Sequence, residues 1–128
     1  MRRMWYEILW IALAGAVGTL ARYGLGGAVQ TVLGQSFPWG TLVVNAIGCL
    51  LFGLIWTLAE ERLLISGHLR VIVLVGFMGA FTTFSTFAFE TAQQLRDREW
   101  LIATGNVSAH LILGIGMFFL GAAVVRAL

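Results

Sequence analysis

Charge is scarce in this chain. Asp, Glu, Lys and Arg make up 11% of its 128 residues, where a soluble domain carries about one quarter. With 59% hydrophobic residues and a mean hydropathy of +0.91, that deficit excludes an ordinary soluble domain and reads as a membrane protein. Lysine is absent. All eight basic residues are arginines, and a formal charge of +2 leaves no patch suited to nucleic acid. The lone Cys49 cannot form an internal disulfide and says nothing about redox compartment. There is no CxxC pair, no HExxH and no nucleotide-binding motif, and no nucleophile–base pair can be assembled. An enzyme is therefore the least supported class. Linkers, low-complexity segments and internal repeats are also missing, so a transporter built from inverted repeats would need its second half from another subunit.

What the chain does have is apolar length. A membrane-spanning helix needs about 20 apolar residues. Four runs qualify, at about residues 5–27, 39–58, 71–95 and 101–125. They predict an all-α membrane protein with four transmembrane helices in one domain over residues 1–128. The start, Met1-Arg2-Arg3 before an apolar run, has the form of a signal peptide. The length of that run and the three that follow favour a first span instead. An even number of spans puts both termini on one side. Arg2, Arg3, Arg62, Arg70 and Arg126 fall on that side, and Arg22, Arg96 and Arg98 on the other. The positive-inside rule then favours cytoplasmic termini only weakly, leaving insertion in both orientations open.

The third run is unusual. The stretch from Gly76 to Phe87 carries two glycines and the hydroxyls of Thr82, Thr83, Ser85 and Thr86, at membrane depth. Glycine lowers helix propensity, and Ser/Thr side chains compete for nearby backbone bonds. Hydrocarbon penalises unpaired backbone groups, so such a cluster predicts a broken helix, buried in protein or lining a watery path. The break is expected near residues 79–84. It would leave carbonyl oxygens free to ligate a small hard cation. Phe81, Phe84 and Phe87 recur at a spacing of three, and Phe84 and Phe87 would share one side of the helix that resumes. A phenyl ring has a positive edge that can face an anion where water does not compete. Packing against lipid or protein is the competing role for these rings.

Polar residues on the other spans have two readings each. Thr41 and Asn45 are four apart and share a helix face. Asn45 either bonds a neighbouring helix or donates to a permeating anion. Asn106 and His110 are likewise four apart, and His110 is either a packing residue or pore-lining. Arg22, near the end of the first span, either snorkels to headgroups or has a structural or anion-attracting role. Ala14 and Gly18 in the first span permit close helix packing.

The string Gly79-Ala-Phe-Thr-Thr-Phe-Ser-Thr-Phe87, with Gly40-Thr-Leu-Val-Val-Asn45 upstream, resembles the Fluc/CrcB family of fluoride channels. The resemblance covers essentially the whole chain. It implies an antiparallel, dual-topology homodimer in the bilayer of a bacterial inner (plasma) membrane. Two fluoride pores would each be lined by both subunits. It implies ring-edge contacts to fluoride from Phe84 and Phe87, a donor in Asn45, and pathway roles for Thr41, Ser85, His110 and Glu90. It further implies a structural sodium ion at the dimer centre, held by backbone carbonyls of Gly79 and Thr82, with Arg22 contributing electrostatically or structurally. Two departures stand out. The family often has Gly-Gly where this chain has Gly79-Ala80, and serines on the fourth helix where this chain has His110 and Gly114. The expected function is passive fluoride export: hydrogen fluoride enters acidified cells, dissociates, and the anion leaves down its gradient. A small multidrug-type proton-coupled transporter is the alternative, but it needs a carboxylate deep in the membrane. Here Glu7 lies near the start of the first span, and Glu90 is the next acid on any span. A structural subunit without conductance is the third reading.

Overall fold

The computed structural model describes residues 1–128 and is helical throughout, with no strands. Helix α1 spans Arg2–Leu33 and α2 spans Trp39–Glu60. A short α3, Gly67–Val71, runs into a π-helical stretch, Ile72–Met78, and then into α4, Gly79–Phe81. The chain is extended at Thr82 and Thr83, then resumes as α5, Phe84–Arg96. Helix α6, Trp100–Ala127, completes the fold. Four segments are long and apolar enough to cross a membrane: Arg2–Leu33, Trp39–Glu60, Gly67–Arg96 and Trp100–Ala127.

Helix α1 outlasts the apolar run that announced it. It continues to Leu33, so Gln30 is helical, and the connection to α2 shrinks to residues 34–38. Gly34 ends the helix with φ of 90°, a left-handed conformation that suits glycine. The Gln30 side chain fastens the turn. Its Nε2 donates to the carbonyls of Gly34 (2.6 Å) and Phe37 (2.8 Å), and its Oε1 accepts from the Gly40 amide (2.9 Å). That last bond supplies a partner to an otherwise orphaned amide in the first turn of α2.

The packing is built on close backbone approach. The most extensive interface joins α2 to α6. A Cβ built on Gly53 would overlap the Phe118 carbonyl, and one on Gly121 would overlap that of Leu50. Helix α1 lies on the π-helical stretch in the same manner. A Cβ on Gly18 would overlap the Phe77 carbonyl, and one on Gly76 would sit 3.0 Å from the Ala14 methyl. The small stripe of α1 is thus a packing surface, the arrangement that lets dispersion hold helices together in lipid. Val44, Met78 and Phe81 form the buried centre of the chain where α2 meets the third segment. Adding one methyl at Gly121 is expected to cost about 1–3 kcal/mol, because overpacking forces backbone shifts. Gly121→Ala should therefore unfold earlier in a denaturant series in detergent. Gly116→Ala, where an added Cβ meets nothing within 4 Å, should match the parent. Equal midpoints for the two variants would remove this account of the α2–α6 contact.

Ion pairs gather the termini and the 61–66 connection at one end. The Arg126 guanidinium forks onto Glu61, with Nε donating to Oε2 at 2.8 Å and an Nη donating to Oε1. Arg62 donates to the carbonyls of Val125 (3.0 Å) and Arg126 (3.2 Å), Arg70 pairs with Glu60, and His68 approaches Glu7 at 3.5 Å. The hydrogen bond from Arg126 holds the Glu61 carboxyl below the usual carboxylate range. These pairs are solvent-exposed, so they add little to stability.

Candidate functional site

The break in the third segment is held open by a residue on α2. The Thr83 amide donates to Asn45 Oδ1 at 2.8 Å, and Asn45 Nδ2 donates to the Thr83 carbonyl at 3.1 Å. One side-chain amide thus replaces the helical partner of the Thr83 amide and gives the Thr83 carbonyl, which as the N-cap of α5 already accepts the first bond of that helix, a second donor. Thr83 then starts α5. Its hydroxyl accepts from the Thr86 amide (3.2 Å), an N-cap, and donates to the Thr86 hydroxyl (2.9 Å). Ser85 Oγ lies 3.3 Å from the Thr83 hydroxyl. Thr86 Oγ1 therefore keeps its own proton to donate elsewhere. Asn45 Nδ2 likewise retains a second N–H.

Two carbonyls lose their helical donors through these same contacts. In a continuous helix the Thr83 amide would close on Gly79, and the Thr86 amide on Thr82. Here the first goes to Asn45 and the second to the Thr83 hydroxyl. Gly79 is exposed and Thr82 partly so on the single chain.

Grooves flank the break on two sides, with Thr83 belonging to both. The first, of about 420 Å³, is lined by Arg22, Gln30, Thr41, Thr83, Thr86 and Glu90 among others. Across it the Thr41 hydroxyl donates to Glu90 Oε1 at 2.6 Å, while Glu90 Oε2 is buried without a partner. The second, of about 340 Å³, is lined by Asn45, Thr82, Phe84, Phe87, His110 and Phe118 among others. Phe84 and Phe87 lie 5.6 Å apart between ring centroids, tilted by 57°. Phe87 rests on the His110 imidazole at 4.3 Å. Phe84 remains 78% exposed on the single chain.

The structure therefore divides the residues singled out in the sequence. Asn45, Phe84, Phe87, His110 and Thr82 meet in one groove, and Thr41, Glu90 and Arg22 in the other. Ser85 joins them only through Thr83, and Gly79 lies just before the break. Asn45 acts as helix glue and stays at the groove wall, so its two sequence readings are compatible.

The sequence left the roles of three residues open. Thr83 is the hub of the break, marked only as one of four hydroxyls. Gln30 lies beyond the first apolar run, which gives no sign that it is helical. Asn106 is fully buried and donates to the Thr91 hydroxyl at 3.0 Å, joining α6 to α5. A buried polar pair of this kind has no signature in one sequence. The π-helical stretch has none either.

The family described as "CrcB-like protein, Camphor Resistance (CrcB)" matches residues 9–122. A protein of Nitrosococcus oceani named "Fluoride-specific ion channel FluC" is 64% identical over 118 residues, covering 92% of this chain and 94% of that one. One of the same name from Solidesulfovibrio magneticus is 54% identical over 116 residues, covering 91% and 93% respectively. Another, from Dehalococcoides mccartyi, is 41% identical over 118 residues, covering 91% and 89%. The match runs from the first span into the last, through the clamp, both grooves and the break, and the chain belongs to the CrcB family.

Proposed function

We propose that this chain forms a passive, fluoride-selective channel, not an enzyme, which lets fluoride leave the cell across the inner membrane. The observation that carries the reading is the Asn45–Thr83 clamp, which holds an interrupted helix open within an apolar span. Relatives named as fluoride-specific channels support it. Fluoride is small and strongly hydrated, and stripping its water in a low-dielectric setting costs many kcal/mol unless donors replace that water. The spare N–H of Asn45 and the unshared Thr86 proton are donors of this kind. Phe84 and Phe87 would present their positive ring edges in the groove Asn45 shares. Thr41 and Ser85 would extend the hydroxyl track. Glu90 would stand on the polar approach near a pore mouth, where the charge of Arg22 would raise the local anion concentration.

The active form in this reading is a homodimer of antiparallel subunits with two pores. Irregular backbone does not face lipid, yet Gly79 and Ser85 are exposed on the single chain, and so is Phe84. A second copy over this face would cover them. The arginines distribute too evenly to fix one orientation, which suits dual topology. A structural sodium ion would be held at the dimer centre by the carbonyls of Gly79 and Thr82. Their displaced helical donors support that assignment, and two carbonyls from each subunit would supply hard oxygen ligands.

The test is anion efflux from liposomes carrying the purified protein, read with ion-selective electrodes. Rapid fluoride release without chloride release is expected. Release of neither ion from folded, dimeric protein would sink the channel and favour a carrier or structural subunit.

A further inference from the structure

On the fluoride-channel reading, we propose that His110 makes ion passage depend on pH, impeding it when neutral and promoting it when protonated. His110 Nδ1 lies 3.0 Å from the Asn106 carbonyl oxygen. A carbonyl only accepts, so Nδ1 must carry the hydrogen, and this contact fixes the neutral tautomer. Nε2 then holds a lone pair. That atom is sealed from solvent and has no hydrogen-bond partner in the chain. The ring forms part of the aromatic groove wall and lies against Phe87, 4.3 Å between centroids. A neutral His110 therefore sets an uncompensated partial negative charge beside the proposed anion path. Protonation turns Nε2 into a donor and adds a positive charge at the same place. Protonation needs Nε2 to exchange with water in the groove, and the added charge then acts across the Phe87 contact through low-dielectric surroundings.

Few other groups compete with it. The only other titratable residue along the groove is Cys49, on α2. On α5 the acid is Glu90, which faces the opposite groove and is bonded to Thr41. On α6 itself, residues 101–125 contain no other charged group. Protonating His110 thus reverses the sign of the field on the aromatic side without a neighbouring charge to cancel it. The response would open the path under the acid conditions that load a cell with hydrogen fluoride.

Two measurements test this. Fluoride efflux is measured with the same solution on both sides at about pH 7.5 and about pH 4.5, through and below the ordinary imidazole range, and leak from protein-free liposomes is subtracted. The parent protein is expected to conduct about tenfold faster at the lower pH, and His110→Ser is expected to conduct at one rate at both. A parent with pH-independent fluoride flux overturns the His110 assignment and leaves the channel reading standing. Flux at neither pH overturns both. A pH response retained by His110→Ser assigns it to Glu90 or another group and overturns the proposal. The second measurement needs no variant. The chain has two histidines, so ¹⁵N-histidine labelling resolves His110 beside His68. At about pH 7.5 His110 is expected as the Nδ1–H tautomer, and fluoride should shift its Nε2 resonance only at the lower pH. An Nε2–H tautomer at neutral pH, or a signal indifferent to fluoride at both, would overturn the inference.

Discussion

Replacing Asn45 with leucine is expected to cut fluoride efflux by about 100-fold and to lower the stability of the protein, because one side chain serves two needs. Asn45→Leu keeps most of the volume and removes the clamp. The Thr83 amide, now held at 2.8 Å, would lose its partner, and the Thr83 carbonyl would lose the second donor at 3.1 Å while keeping the first bond of α5. Each buried backbone group left unpaired costs about 1–3 kcal/mol, and lipid surroundings raise that cost. That loss, with the second bond to the Thr83 carbonyl, is a sizeable part of the spare stability of a small protein, so the break would loosen. Asn45→Asp separates the roles. A carboxylate can still accept from the Thr83 amide, but it donates nothing to the Thr83 carbonyl or to an anion, and its charge repels fluoride. It should lose flux as severely as the leucine variant while unfolding at a denaturant concentration closer to the parent. Stability and efflux together decide the matter. If Asn45→Leu is destabilised yet each surviving folded channel conducts normally, Asn45 only glues helices. If neither quantity changes, the clamp has no importance.

The physical signals behind this site were unequally visible in the sequence. The four spans follow from apolar run length, which hydrocarbon thickness converts directly into helix number. The interruption was foreshadowed by Gly79 and the Thr-Thr-Phe-Ser-Thr string, because those residue types weaken helices wherever they occur. What locates the interruption at Thr82 and Thr83 is a contact between residues 38 positions apart, and no local pattern encodes such a contact. The division into a polar groove and an aromatic groove was equally hidden. It depends on Glu90 turning towards Thr41 while Phe87, three residues earlier, turns towards His110. Gln30 falls outside the first apolar run because hydropathy does not mark where that helix ends. Helix α1 runs past its apolar run to a glycine cap, and backbone geometry ends it there. Close approach explains why glycines are spread through α2 and α6 instead of gathering in turns. Gly53 and Gly121 read as helix weakeners in isolation and as interface residues once the partner helix is in place.

The two phenylalanines of the aromatic groove should respond differently to truncation. Phe87 is partly buried, lies 4.3 Å from the His110 ring and 5.6 Å from that of Phe84. Phe84 is 78% exposed on the single chain, so its loss removes little intrachain packing. Phe84→Ala is accordingly expected to leave monomer packing within about 0.5 kcal/mol of the parent, as surface substitutions do. Phe87→Ala should cost about 1–3 kcal/mol, below the figure for a fully buried ring. Both should reduce fluoride efflux by about tenfold or more, since a lost transition-barrier interaction of 1.4 kcal/mol is worth that factor. Substituting isoleucine at each site isolates the cause. Isoleucine fills much of the same space but has no ring and no positive edge. If the edges face the ion, the isoleucine variants conduct as poorly as the alanine variants despite better packing. Recovery of flux with isoleucine would mean the rings merely shape the groove, and normal flux in both alanine variants would remove the aromatic pathway altogether. Efflux is measured alongside the oligomeric state in detergent, compared with that of the parent, so that a variant that fails to fold or assemble is not mistaken for one that fails to conduct.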